Sequence, residues 1–286
     1  MITLKDRYLG AMLGLAVGDA LGAPVEFLER GSFPPVTSMA EGGPFNLKKG
    51  QWTDDTSLAL CLGFSLVEKN GFDPHDQIER YIKWFREGYM SCTGNCFDIG
   101  NTTKAALLRY EENKDIYAGA LTDPATNGSL MRLAPVPLFY FKNLADTIKY
   151  AGLSSKVTHA PLDCIKTCEN LAVYIHRALA GKNKKEIFID SEIDFHKTYE
   201  QISGKGTALE CLEGAMWCFF HSSNFDEGVK LAVNLGDDTD TTAAVFGQLA
   251  GSFYGVEGIP EYLLNDLWDK KLIEDLALKL FNSNAL

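Results

Sequence analysis

Two short stretches crowd carboxylates and hydroxyls together: "QWTDDTSLAL", residues 51 to 60, and "NLGDDTDTTAA", residues 234 to 244, each running into an apolar helical pattern. A helix start needs one such residue, because a Thr side chain satisfies a free first-turn amide and an acid meets the positive end of the helix dipole. Capping therefore accounts for two of the four residues Thr53, Asp54, Asp55 and Thr56. In the second burst Asp238 and Asp240 would stand about 200° apart on a helix, so the chain must be non-helical there for both to face one point, with Thr241 opening the helix. If the bursts stay apart, they are two independently capped helices. If they meet, carboxylates within about 4 Å of one another repel by several kcal/mol per pair even at an effective dielectric near 20, and a cation must neutralise them. The donors are all oxygen, with no His or Cys at zinc-like spacing, which points to Mg²⁺ or Mn²⁺, with Ca²⁺ less suited. Six ligands, Thr53, Asp54, Asp55, Asp238, Asp240 and Thr241, exceed what one ion can use while keeping water and substrate, so two ions sharing a bridging Asp fit better.

The elements that must position these groups are helices. Apolar residues recur at three- and four-residue steps in "DTSLALCLGFSLVEK", "PHDQIERYIKWFREGY", "IGNTTKAALLRYEE", "LADTIKYAGLSSKV", "DCIKTCENLAVYIHRALAG", "TALECLEGAMWCFF" and "TTAAVFGQLAGSFYG". Strand signals are sparse: "EIFID" is the best candidate and "VTSM" a weaker one. The expected fold is all-α, a single globular multi-helix domain over residues 1–286, because the Gly/Pro-rich stretches are short and helices resume on both sides. Small residues Ala243, Ala244, Gly247, Ala250 and Gly251 would let a neighbouring helix approach closely.

Composition limits the partners. With 286 residues, 46% hydrophobic, the chain can bury a large core. Its 27 Lys and Arg against 38 Asp and Glu give a net charge of -11, and with no basic helix a nucleic-acid backbone or an anionic membrane is not an expected partner. The seven cysteines make no C-x-x-C pair and read as reduced thiols, which implies a cytoplasmic protein. "YLGAMLGLAVG" has the outline of a signal peptide, but Asp6 in its basic region, Asp19 at its end and the continuing "GDALGAPVEF" favour a buried first helix.

The ordered stretches "GAMLGLAVGDALGAPVEF", "GQWTDDTSLAL", "SCTGNCFDIGNTT", "NGSLMRLAPVPL", "VTHAP" and "NLGDDTDTTAAVFGQLAGSFYG" together resemble the ADP-ribosylglycohydrolases, especially the branch with the dinitrogenase reductase-activating glycohydrolase. The resemblance implies an all-helical fold with two Mg²⁺ or Mn²⁺ ions at the floor of an ADP-ribose cleft. Thr53, Asp54, Asp55, Asp238, Asp240 and Thr241 match its metal ligands. Glu26 matches a glutamate near the metals, and Asp98 an acid assigned to catalysis, although by spacing alone Asp98 would cap the helix that follows. Asn127, Gly128 and Ser129 match a substrate-approaching loop, where Gly permits close backbone approach; a simple turn is the other reading. His159 matches a substrate-side histidine, but here a single residue, Ala160, separates it from Pro161 where many relatives have two. Asp237 stands where Gly is common.

The implied reaction is hydrolysis of the bond at C1 of the distal ribose in ADP-ribose attached to a protein side chain, arginine favoured over serine. Its oxocarbenium-like transition state would be stabilised by the acidic cleft, with Asp55 or Asp98 exchanging protons. Rival readings are a two-metal nucleotide pyrophosphohydrolase and a non-catalytic ADP-ribose-binding module.

Overall fold

A computed structural model describes residues 2–283 of the chain. The helices, in chain order, are α1 (Leu4–Gly22), α2 (Asp54–Lys69), α3 (Pro74–Glu87), α4 (Asn101–Asn113), α5 (Pro135–Phe139), α6 (Leu144–Lys156), α7 (Leu162–Leu179), α8 (Lys184–Ile187), α9 (Ala208–His221), α10 (Phe225–Val233), α11 (Thr239–Tyr254), α12 (Glu261–Asp266) and α13 (Lys270–Ser283). Among the described residues β-structure is confined to two isolated bridges, Gly42 with Leu47 and Thr126 with Thr207. The seven stretches with helical periodicity are α2, α3, α4, α6, α7, α9 and α11 to within a few residues. "EIFID" is not a strand: Asn183 and Glu186 form a reciprocal capping box that starts α8 there. "VTSM" is irregular.

The molecule is organised around α1 and α11, which run antiparallel in contact. Gly10, Gly14, Gly18 and Gly22 of α1 recur every four residues and face, in order, Gly251, Gly247, Ala243 and Asp240. A Cβ added at Gly14 would lie 2.3 Å from the Gly247 carbonyl oxygen, so only glycine permits this approach. The small-residue face of α11 thus has a matching face on α1. The crossing is clamped at one end by Arg7, whose Nη1 donates to the Ser252 and Phe253 carbonyls at 2.8 and 2.7 Å. At the other end the Thr239 hydroxyl donates to the Gly22 carbonyl at 2.9 Å.

α1 is the one helix among the described residues long and apolar enough to cross a membrane, and 83% of the relevant window is buried inside the protein. Around the central pair lie α2, α5, α7, α9, α10 and α13, joined through a continuous apolar core. A second cluster, built on Tyr81, Trp84, Leu107 and Tyr110, seats α3 and α4 beside α2. One consequence of the antiparallel crossing decides the chemistry: the C-terminal end of α1 meets the N-terminal end of α11.

Candidate active site

Asp19 lies in the last turn of α1, fully buried. Its carboxylate accepts from the Thr53 and Thr56 amides at 2.8 and 2.9 Å and from the Thr56 hydroxyl at 2.6 Å. Asp19 therefore does the capping that α2 requires. Thr53 sits at the cap position but its side chain makes no capping hydrogen bond, and its hydroxyl instead donates to Asp240 Oδ2 at 3.2 Å. Across the same junction the Thr241 hydroxyl donates to Asp55 Oδ1 at 3.3 Å. The two bursts meet. Asp238 is the cap residue of α11, with non-helical backbone, and Asp240 lies within the first turn; the helix opens at Thr239, two residues earlier than spacing suggests, yet Asp238 stays outside it.

Beside this junction opens a cleft of about 330 Å³ whose lining includes Glu26, Asp54, Asp98, Asp238, Thr241, Thr103, Thr126, Asn127, Gly128 and His159. Thr53, Asp55 and Asp240 stand behind that surface and do not line it. Glu26 follows the short 3-10 turn that ends α1, and one oxygen each from Glu26, Asp238 and Asp240 lies within 4.8 Å of the others. Asp98 lies close enough to Glu26 for its charge to raise the Glu26 pKa. It does not cap α4: Gly100 is the cap, and Asp98 sits two residues before it with φ +56°. Asn127 donates to Asp238 Oδ2 at 2.9 Å, orienting that carboxylate.

Gly128 lines the cleft and is also constrained by its neighbour. A Cβ there would come within 2.9 Å of the His159 ring, so the glycine makes room for the imidazole. Ser129 departs from the expected substrate contact: it is buried, its hydroxyl is 2.8 Å from that of Ser155, and it does not line the cleft. His159 does line it. Burial, then the nearby Arg132 charge, push its pKa down to about 3, so the ring is neutral. Arg132, itself fully buried, donates to the Thr158 hydroxyl at 2.6 Å. That hydroxyl, 2.8 Å from His159 Nδ1, keeps its own hydrogen to give to the ring, which favours Nδ1 as the acceptor. Nε2 then carries the hydrogen and donates to Thr126 Oγ1 at 3.0 Å.

Asp237 acts through its main chain. Its backbone accepts from the Phe27 amide at 2.7 Å and donates to the Leu28 carbonyl at 2.8 Å, holding the Glu26 loop. Its φ of +61° explains why glycine suits the position. Asp19, Arg132 and Thr158 were not singled out as site residues from sequence. The available signal for Asp19 was a carboxylate inside an otherwise apolar helix, which must find partners when buried.

Burial raises the carboxyl pKa values throughout. Desolvation, then the Asp98 charge, push Glu26 up to about 10; desolvation, then Asp19, push Asp98 up to about 8. Desolvation raises Asp54, Asp55, Asp238 and Asp240 as well. Glu26 Oε2, Asp55 Oδ2 and Asp240 Oδ1 are buried without a hydrogen-bond partner. Two carboxylates about 5 Å apart repel by roughly 3 kcal/mol at an effective dielectric of 20. Orphaned oxygens, an all-oxygen donor set and mutual repulsion together fit hard divalent cations.

Comparison with known proteins agrees with this geometry. The family model described as ADP-ribosylglycohydrolase matches residues 1–285. The "ADP-ribosylarginine hydrolase Tri1" of Pseudomonas putida (strain GB-1) is 39% identical, over 97% of this chain and 78% of its own length. The "ADP-ribosyl-[dinitrogen reductase] glycohydrolase" of Rhodospirillum rubrum is 33% identical, over 93% of this chain and 91% of its own. A solved structure titled "ADP-ribosylglycohydrolase-related protein complex" superposes with a TM-score of 0.87 at 41% identity, covering 98% of each chain. With a family match running almost end to end and the acidic helix starts gathered under one cleft, the chain belongs to the ADP-ribosylglycohydrolase family.

Proposed function

We propose that this protein is a hydrolase that removes ADP-ribose from arginine side chains of a modified protein, using two Mg²⁺ or Mn²⁺ ions. The observation that carries the reading is the junction of Thr53–Asp55 with Asp238–Thr241 beneath a cleft, with buried carboxylate oxygens left unpaired. Arginine linkage is supported by the two Tri1 relatives, from Pseudomonas putida and from Serratia proteamaculans (strain 568), each named an ADP-ribosylarginine hydrolase.

Thr53, Asp54, Asp55, Asp238, Asp240 and Thr241 would hold the ions, with Glu26 beside them. The ions supply Lewis acidity and a template for ribose hydroxyls and water. In the reaction the C1–N bond breaks, water oxygen bonds to C1, and the leaving nitrogen takes a proton. Asp55, outside the cleft lining, serves as a ligand, whereas Asp98 lines the cleft, where a proton can pass between its carboxyl and substrate or water. Asn127 fixes Asp238. The ring of acids stabilises positive character at C1 as it develops. His159 and Thr126 add neutral polar groups to the cleft lining.

The seven unbonded cysteines, six of them buried, support a reducing compartment such as the cytoplasm. Purified protein incubated with Mg²⁺ or Mn²⁺ and ADP-ribosyl-arginine is expected to give free ADP-ribose and intact arginine by mass. AMP as product would establish the pyrophosphohydrolase reading instead. Tight binding without turnover would leave only a binding module.

A further inference from the structure

Phe27 is a large apolar residue left 65% exposed, and it lines the cleft alongside Glu26, Asp54, Asp98 and Asp238. Its backbone has φ +66°, a left-handed conformation that a bulky side chain rarely adopts. Two hydrogen bonds impose it, from the Phe27 amide to Asp237 at 2.7 Å and from the Asp237 amide to Leu28 at 2.8 Å. The ring is also backed. Phe45 meets it edge-on with centroids 6.5 Å apart, and Phe45 lies 5.4 Å from Phe97, the neighbour of Asp98. A wall of three rings thus joins the loop carrying Glu26 to the loop carrying Asp98. A strained aromatic, backed by Phe45 and held out of the core, is placed for a ligand.

The ligand's chemistry follows from the surroundings. The face of an aromatic ring is electronegative, and the cleft this one lines also carries the carboxyls of Glu26, Asp54, Asp98 and Asp238, so the patch favours a cation over an anion. A flat cation suits it best, because a guanidinium can stack on the ring while its in-plane N–H groups reach adjacent acids. We propose that Phe27 is the platform on which the guanidinium of the modified arginine stacks, making it a determinant of arginine-linked over hydroxyl-linked substrate. This rests on the arginine-linked reading of the same site. Adenine stacking is the competing use of such a ring, and it predicts a different measurement.

The test compares Phe27→Leu, Phe27→Tyr and Phe27→Gly in the full chain with Mn²⁺ present. ADP-ribose, which lacks the guanidinium, is the binding probe, and arginine-linked and serine-linked ADP-ribose are the substrates. Phe27→Leu is expected to lower kcat/KM for the arginine-linked substrate about tenfold, leave ADP-ribose affinity unchanged, and spare whatever serine-linked activity exists; Phe27→Tyr retains wild-type values. Phe27→Gly relieves the left-handed backbone, so it should melt within a few degrees of wild type while losing arginine-linked activity like the Leu variant. Unchanged kcat/KM in Phe27→Leu overturns the proposal, as does a parallel loss of ADP-ribose affinity, which would assign the ring to adenine. A wild type that cleaves serine-linked but not arginine-linked substrate would overturn both this inference and the reading beneath it.

Discussion

Asp19 shows how a residue that touches no substrate can govern a site. Both its oxygens are committed to the start of α2, on two amides and one hydroxyl, and this frees the Thr53 side chain to face Asp240. In Asp19→Asn one oxygen becomes a donor aimed at amide donors, so the first turn of α2 must shift. Titration calorimetry is expected to show Mn²⁺ affinity falling about ten- to a hundredfold; wild-type affinity would show that the α2 start holds itself. His159 makes a second residue-level case. With its pKa held near 3 by burial, then Arg132, it does not charge between pH 5 and 8, and its tautomer is set by Thr158. Nitrogen NMR should report Nε2–H at neutral pH in wild type and a mixture in Thr158→Val, with Thr158→Ser restoring the single form. An Nδ1–H signal in wild type would reverse the hydrogen-bond direction derived above.

At the scale of elements, the α1–α11 crossing is what positions the chemistry. Gly14→Ala would place a methyl against the Gly247 backbone, and a backbone cannot rotate away as a side chain can. The expected cost is about 2–4 kcal/mol, read by denaturant melts, together with weakened Mn²⁺ binding because Asp19 and Asp240 lie on the two separated helices. A fully stable variant would mean that the helices have slack.

The long helices were legible because each combines a 3.6-residue period with a start or stop signal: Asp73 accepts from the His75 and Asp76 amides before α3, and Gly88 ends that helix left-handed. That the two acidic bursts would need a cation if they met was legible through repulsion and donor chemistry; that they do meet was carried by the family resemblance. What remained hidden depends on distant partners. The four-residue glycine spacing on α1 has meaning only against α11, and Asp19 looked like the end of an apolar run because Thr53 and Thr56 are far along the chain. Asp98 looked like a cap because its left-handed backbone has no sequence mark, and "EIFID" because a short capping box outweighed β-branched composition.

For the whole molecule, the buried acids make stability depend on proton and cation together. When folding raises an acid's pKa, the native state keeps a proton that the unfolded chain has released. Its stabilising effect is full below the ordinary carboxylate pKa of 3.8 and is lost as pH rises through the folded value, about 6 for Asp19 and about 8 for Asp98, both raised chiefly by burial. Surface acids such as Asp190, lowered by its bond to Arg177, have the opposite sign and favour the fold above 3.8. The metal-free protein should therefore melt highest near pH 4–5 and lose stability toward pH 8, while saturating Mn²⁺ flattens that decline by taking the protons' place. A melting temperature of the chelated protein that rises from pH 5 to 8 would contradict the burial of these groups.

The pairing of α1 with α11 also sets a timetable for synthesis. Everything from Ala23 to Asp238 must leave the ribosome between them, a wait of roughly 10 to 50 s at ordinary elongation rates. Throughout that interval α1, greasy enough to pass for a membrane segment, has lost its natural cover, and no cation can be captured by half a ligand set. The nascent chain should thus depend on holdase chaperones bound near its first helix, releasing them only when the last ligands emerge.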